Sequence, residues 1–456
     1  MDTLDAAARD LDAGRTTSRA LVEASLARIA DPLGEGGRAF VTVYADAARA
    51  SANAADLLRR AGRAPTPWAG VPFSLKDLLD VAGEVTTAGS RVLAGAAPAE
   101  RHAESMRRML AAGLVAVGRT AMTEFAFSGL GLNPHQGTPS SPWDRATGRI
   151  PGGSSSGAAV SVADGMALAA LGTDTGGSCR IPAAFCGVVG FKPTARRVPL
   201  RGAFPLAPSL DSIGPLANSV ACCATIDALL AGEAPVPLPE PAASGPAASE
   251  PAASGLRLAV AQGLVLDGLD APTATSWEAA LRRLEAAGAR LTRLDVPVFA
   301  SVARSHANAV MVTSEAYAVH RERLGSSGDS YDPQVRARMQ RGEGFGAADY
   351  IDALAARARF QGGMDLLSAP FDAVLMPTVP IVAPAIRALD EPAEYVRVNQ
   401  LVLRNTALAN FLDRCAISLP CHRVGDPPAG LMLVGETMGD RRLLAVAAAV
   451  EAALKE

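Results

Sequence analysis

The chain has 456 residues, 49% of them hydrophobic, with 43 basic and 46 acidic side chains and a net charge of −3. That is enough apolar material for one large core or two, and near-neutrality excludes a dedicated nucleic-acid binder. The N-terminus MDTLDAAARDLDAG lacks a basic flank before an apolar run, and no apolar stretch of about 18 residues occurs, so neither a signal peptide nor a membrane-spanning helix is expected.

Helices are expected over 2–13 and 18–30. Leu4, Ala8 and Leu11 share one face of the first, and Val22, Leu26 and Ile29 one face of the second. Thr16, Thr17 and Ser18 are N-cap candidates. A third helix, 45–60, ends at Ala61-Gly62 and completes a helical N-terminal region, 1–65. In GVPFSLKDLLDV, Val71, Phe73 and Leu75 alternate with Pro72, Ser74 and Lys76, the period of a strand. Lys76 ends that strand on the face opposite the three apolar side chains. A helix over 99–112 stops at Gly113, and 114–117 reads as a strand. Strands alternating with helices through residue 230 indicate an α/β organisation. Residues 233–254, rich in Pro, Ala and Ser, read as a linker or exposed loop. Beyond it come a strand at 256–260, helices at about 272–287, 300–324 and 347–368, strands at 372–377, 416–420 and 431–434, and a last helix at 440–454. The whole of 1–456 reads as one α/β domain interrupted by the linker. Six cysteines, at 179, 186, 222, 223, 415 and 421, form no Cys-x-x-Cys pair. Structural zinc and a disulfide framework are not expected, and a reducing cytoplasm fits.

The stretch from Pro151 to Thr194 carries the chemistry. It opens PGGSSSG and continues, after an Ala-rich apolar run, with Gly172-Thr173-Asp174-Thr175-Gly176-Gly177-Ser178. Glycine loses the most backbone entropy on ordering, so seven glycines between 151 and 178 imply backbone that something must approach closely. Two adjacent glycines let successive N–H groups point at one spot, a nest for an anion or for an oxygen that becomes one during reaction. Ser178 ends that nest, and a hydroxyl beside an oxyanion hole is the layout of acyl transfer. The usual base is histidine, but the five histidines (102, 135, 306, 320 and 422) stand in no catalytic string. Only three of the basic residues are lysines: Lys76, Lys192 and Lys455. A desolvated lysine can become a neutral base, which an arginine cannot. Lys455 adjoins the C-terminus, Lys192 fits a structural role, and Lys76 closes the strand.

Gly152-Gly153-Ser154-Ser155-Ser156-Gly157, followed by Gly172, Asp174, Gly176, Gly177, Ser178, Arg180 and Pro182, resembles the pattern of the amidase signature family. Ser154 and Ser178 stand 24 positions apart, as in that family. One position departs: Cys179 follows Ser178 where an aliphatic residue is usual. GVPFSLKD, AMTEFAFSGLGLNPHQGTPSSPWD, GVVGFKPT, PSLDSIGPLANSV and GLMLVGE extend the likeness, strongly over about 60–230 and loosely elsewhere. The resemblance implies a mixed central sheet covered by helices on both faces and an amidohydrolase cleaving a small carboxylic amide, with an aryl amide, carbamate or urea-like bond left open, to acid and amine or ammonia through a serine acyl-enzyme. It assigns Ser178 as nucleophile, Ser154 as the serine preceded by a cis peptide bond, and Lys76 as the neutral base drawing a proton from Ser154 as Ser154 takes one from Ser178. The N–H groups of Thr175, Gly176, Gly177 and Ser178 would form the oxyanion hole. Ser155, Asp174 and Arg180 would support the network, and Phe127 and Ser128 fall where the family places part of the acyl pocket.

The resemblance implies no metal and no organic cofactor. The partners expected are a small amide and, at most, a second copy of the chain as a homodimer; no nucleic acid and no membrane is expected. Several other side chains invite a functional reading. Cys179 and Cys186 with Lys192 suggest a cysteine amidohydrolase, but free cysteines are commonly just buried. His320 is expected as a surface or packed residue, Trp143 as a packing anchor, and Arg336, Arg338 and Arg341 as a solvated helical face. The alternative function is the A subunit of a tRNA-dependent amidotransferase. Asn410-Phe411-Leu412-Asp413-Arg414-Cys415 departs from that subunit's apolar Asn-Leu-Ala-Gly segment, and GFKPTARRVPL from its usual loop.

Overall fold

One mixed sheet of eleven strands runs through the computed structural model, which describes residues 3–236, 238 and 252–455. Most of the expected 233–254 linker lies outside the described residues. The strands are β1 (Phe40–Val43), β2 (Pro72–Lys76), β3 (Val115–Thr120), β4 (Ala169–Thr173), β5 (Val189–Lys192), β6 (Ile213–Ala217), β7 (Arg257–Gln262), β8 (Arg290–Asp295), β9 (Ala373–Pro377), β10 (Ala416–Pro420) and β11 (Gly430–Val434). Their order is β1-β3-β2-β4-β6-β5-β10-β11-β9-β7-β8. β2 is parallel to both β3 and β4, with Leu75 opposite Leu171. β7 is parallel to β8 and β9, and the remaining pairs are antiparallel.

Side-chain alternation sorts the layers. Phe73 and Leu75 of β2 and Leu375 of β9 join one apolar cluster on one face, under helices that bring Met106, Ile226, Leu284 and Leu443. The opposite face carries two clusters. One holds Val22, Leu26, Val117 and Val160; the other holds Phe299, Met311, Val374 and Met376. Every residue of β2 is buried. Its polar face is therefore interior as well: Ser74 Oγ lies 2.8 Å from Ser161 Oγ, and Lys76 has no exposed surface.

The helices at Leu4–Asp12, Ser18–Ala30 and Ala45–Arg60 match the expected ones, and Thr17 is the N-cap of the second, accepting from Ala20 N–H. Other boundaries move. The helix expected over 99–112 starts only at Glu104, and its following strand runs on to Thr120. The helix expected over 300–324 is two, Pro297–Ser305 and Ala307–Ser327, broken at His306, whose φ is +56°. The helix Pro392–Phe411 has no counterpart in the sequence reading.

Candidate active site

Lys76 and Thr173 are the last residues of neighbouring parallel strands, so the sheet delivers both side chains to one place. The carboxyl ends of parallel strands are where α/β proteins bind ligands. Lys76 Nζ donates to Ser154 Oγ at 2.7 Å and to Thr173 Oγ1 at 2.8 Å. Burial brings the lysine down from 10.5 to about 7, against the opposing pull of Cys179, Asp174 and Asp211. Desolvation penalises the ammonium and leaves the neutral amine accessible near neutrality.

Ser154 enters from the turn before the helix Ser156–Ala163, and the Gly153–Ser154 peptide bond is cis. Ser155 ties this turn to the next one. Its N–H donates to Ser178 O at 3.2 Å, and its hydroxyl donates to Thr173 O at 3.3 Å. Ser178 is nearly buried, at 4% exposure, and opens into a cavity of about 220 Å³ together with Thr175 and Gly176.

The nest before Ser178 is shaped by Asp174. Its carboxylate accepts from Gly177 N–H (2.8 Å), Cys179 N–H (3.0 Å), Arg180 Nη2 (2.8 Å) and Nε (3.0 Å), and Asn410 Nδ2 (2.9 Å). Burial opposes its ionisation, but the Arg180 guanidinium outweighs this and holds the carboxyl well below the usual range. Asp174 and Arg180 are both fully buried, so each charge needs the other. This geometry corrects one expected donor. Gly177 N–H faces Asp174 Oδ1 and not the cavity. Among the described residues the N–H groups of Thr175, Gly176 and Ser178 have no partner in the chain. Gly177 is still required for shape: its φ is +139°, and a Cβ there would stand 2.2 Å from Thr406 Oγ1.

A family model described as Amidase matches residues 20–444. The chain belongs to the amidase family. This amidase is similar to the 2-amino-5-chloromuconic acid deaminase of Comamonas testosteroni, at 36% identity over 407 residues, 89% of this chain and 86% of that protein. The A subunit of the glutamyl-tRNA(Gln) amidotransferase of Chloroflexus aggregans (strain MD-66 / DSM 9485) is 34% identical over 471 residues, 97% of this chain and 94% of that one. A crystal structure of an amidase superposes with a TM-score of 0.87 at 33% identity, covering 99% of both chains. The mixed sheet with helices on both faces is thus the fold of these enzymes. Among the described residues no helix is long and apolar enough to cross a membrane.

Phe127 and Ser128 line the same cavity as Ser178, and Ser128 Oγ donates to Asn399 Oδ1 at 3.1 Å. Lys192 stands apart, donating to Pro193 O at 2.7 Å. Burial pushes the Cys179 and Cys186 thiols up, so the amidase holds no ready thiolate beside Ser178. His320 is packed: fully buried, with Nδ1 3.0 Å from Tyr331 Oη and its ring 4.3 Å from Phe125. Trp143 lies under the Arg149 guanidinium at 4.1 Å. The expectation of a solvated Arg336–Arg341 face fails in part. Arg338 is half-buried on the cavity wall, its guanidinium 4.3 Å over the Phe127 ring, because Val335 and Met339 turn this side of the helix inward.

Sequence reasoning missed Thr173, Asp211, Asn399 and Asn410. Thr175 Oγ1 donates to Asp211 Oδ1 at 2.5 Å, which steadies the nest from its outer side. The strand Ala169–Thr173 reads AALGT, without polar–apolar alternation, so nothing in the sequence set Thr173 beside Lys76. The two asparagines lie on the unforeseen helix Pro392–Phe411.

Proposed function

We propose that the chain hydrolyses a small carboxylic amide to an acid and an amine or ammonia through an acyl-enzyme on Ser178. The observation that carries this reading is the 2.7 Å contact of a fully buried lysine amine with Ser154, beside a nest of unpartnered N–H groups that ends in Ser178. Neutral Lys76 takes a proton from Ser154 as Ser154 takes one from Ser178. Ser178 Oγ bonds to the carbonyl carbon, and the oxygen, now negative, is held by the N–H groups of Thr175, Gly176 and Ser178. The C–N bond then breaks while Lys76 returns its proton through Ser154 to the departing nitrogen. Water adds to the acyl-enzyme with the same two residues removing its proton, and the acid leaves as Ser178 regains its hydrogen. Every proton borrowed is returned, so the reaction asks for no cofactor.

Asp174 and Arg180 shape the nest and do not touch substrate in this reading. Six free cysteines, all buried, fit the cytoplasm as the place of work. A homodimer is compatible with the reading and is not required by it.

The test is direct. A fluorophosphonate probe labels Ser178 in the purified chain, and labelling that survives Ser178→Ala refutes the nucleophile. The second reading, a glutaminase subunit, is favoured by the 34% identity to an amidotransferase A subunit across nearly the whole chain. It predicts glutaminase activity only with partner subunits present. Turnover of simple amides by the isolated chain supports the first.

A further inference from the structure

The cavity at Ser178 has an unbalanced charge. Arg338 and Arg341 both line it, and no aspartate or glutamate does. Elsewhere arginines of the interior are neutralised, Arg119 by Asp77, Arg180 by Asp174, and Arg197 by Asp227 and Glu233, or, like the half-buried Arg357 and Arg404, donate to two or more oxygens of the chain. Arg336, on the same helix as Arg338, pairs with Asp329. Among the described residues neither Arg338 nor Arg341 has a carboxylate partner. Arg338 donates one hydrogen bond, to Phe127 O at 2.6 Å, and among the described residues its remaining N–H groups have no acceptor. A guanidinium presents five donors in a planar fork that matches a carboxylate. Burial of Arg338 brings its guanidinium down to about 10, with the like charge of Arg341 acting in the same direction against the pull of Tyr395. A half-buried guanidinium without a counter-ion, with the exposed Arg341 at the rim of the same small cavity, is stabilised by an anion that enters it.

Resting on the amidase reading, we propose that the substrate is a small amide bearing a carboxylate, with the carboxylate held by Arg338 and Arg341 while its amide carbonyl reaches Ser178. The cavity volume of about 220 Å³ is below the range of about 300–1,000 Å³ usual for drug-sized ligands, which suits a short acyl chain. Phe127, Leu206 and Val396 supply apolar walls for the carbons between the two ends. The phenyl ring under Arg338 fixes the plane of the fork, so the position favours arginine over lysine.

The experiment compares kcat/KM for succinamic and glutaramic acids with that for butyramide and valeramide, neutral amides of matching length. The expected ratio favours the acids by roughly 10- to 100-fold, the worth of one charge-assisted hydrogen bond at tenfold per 1.4 kcal/mol. Arg338→Gln and Arg341→Gln each lower that ratio, and Arg338→Lys restores part of it, which a purely structural role would not do. In parallel, calorimetry measures glutarate binding to Ser178→Ala and to the same protein carrying Arg338→Gln, with at least tenfold weaker binding expected in the latter. A wild-type preference for the neutral amides, or a ratio unmoved by both glutamine variants, overturns the proposal while leaving the amidase reading intact. If no amide is turned over, the amidase reading fails, and glutarate binding still judges the anion site: binding that depends on Arg338 upholds it, and no binding overturns it.

Discussion

Lys76→Met separates the base from the fold. In the unfolded chain the lysine keeps its proton up to about pH 10.5, and in the folded protein only up to about 7. Between those values the unfolded state binds more protons, so stability rises with pH. The cost of holding the ammonium in the interior is fully present below about pH 7 and gone above about 10.5. At 1.36 kcal/mol per pH unit that span is about 5 kcal/mol. Methionine removes the charge and keeps most of the volume. It also leaves Ser154 Oγ and Thr173 Oγ1 without their amine donor, at about 1–3 kcal/mol each. The two effects are similar in size near pH 7, so the absolute stability of the variant there discriminates poorly. Their pH dependence does discriminate, because the hydroxyl cost is constant. Urea unfolding of both proteins at pH 7, 8 and 9 should show the wild type gaining about 2 kcal/mol on the variant across that interval. Curves that stay parallel would mean that Lys76 remains charged in the folded protein, and the base assignment would fall. The kinetics have the matching sign. The kcat/KM of the wild type should rise about tenfold per unit up to pH near 7 and then level, since this limb reports the base of the free enzyme. Lys76→Arg, which cannot give up its proton, should be nearly as inactive as Lys76→Ala.

Gly177→Ala should lower kcat at least 100-fold, because its Cβ meets Thr406 and the nest must shift off the oxyanion, at a typical cost of about 3–4 kcal/mol. Arg180→Met should destabilise the fold by about 3–5 kcal/mol in urea titration, since it strands Asp174 in the interior. The share of stability that Asp174 contributes is present above pH about 4 and is lost as pH falls toward its lowered folded value. Cys179→Ala should keep kcat, and native protein should resist iodoacetamide at pH 7, because burial keeps that thiol protonated. Gln400→Ala, on the cavity wall, should raise KM with little change in kcat, whereas Asn410→Ala should lower kcat by loosening Asp174.

What could be read in the sequence follows from where the information lies. Residues 151–182 state their chemistry locally, because a nest needs adjacent glycines, whereas the proposed base, Lys76, stands far upstream and was marked only by the scarcity of lysine. β2 was legible because Phe73 and Leu75 alternate with Ser74 and Lys76. The chain could not say that both faces of β2 are interior, since a buried polar face and a solvated one spell alike. Gly177 N–H was misassigned for a similar reason. Composition shows that a loop can expose its N–H groups, but not that Asp174, three residues earlier, folds back to take one of them.

The helix Pro392–Phe411 escaped for a different reason. Tyr395, Val398 and Val402 mark a buried face at helical spacing, yet Asn399, Asn405, Thr406 and Asn410 are buried too. A helix wrapped on most sides, with asparagines turned toward a polar site, shows no clean apolar stripe. That same helix joins the two halves of the machine. Asn410 braces Asp174 and Arg180, while Asn399, Gln400 and Leu403 on earlier turns face the substrate cavity. On the proposed reading the bond-breaking groups come from the signature segment and Lys76, and the cavity wall comes largely from 308–407. Selection on substrate can therefore act on side chains such as Gln400 and Arg338 without disturbing the proton path. It is constrained only where one helix serves both, with Asn410 bracing the nest at one end and Asn399, Gln400 and Leu403 lining the cavity on earlier turns.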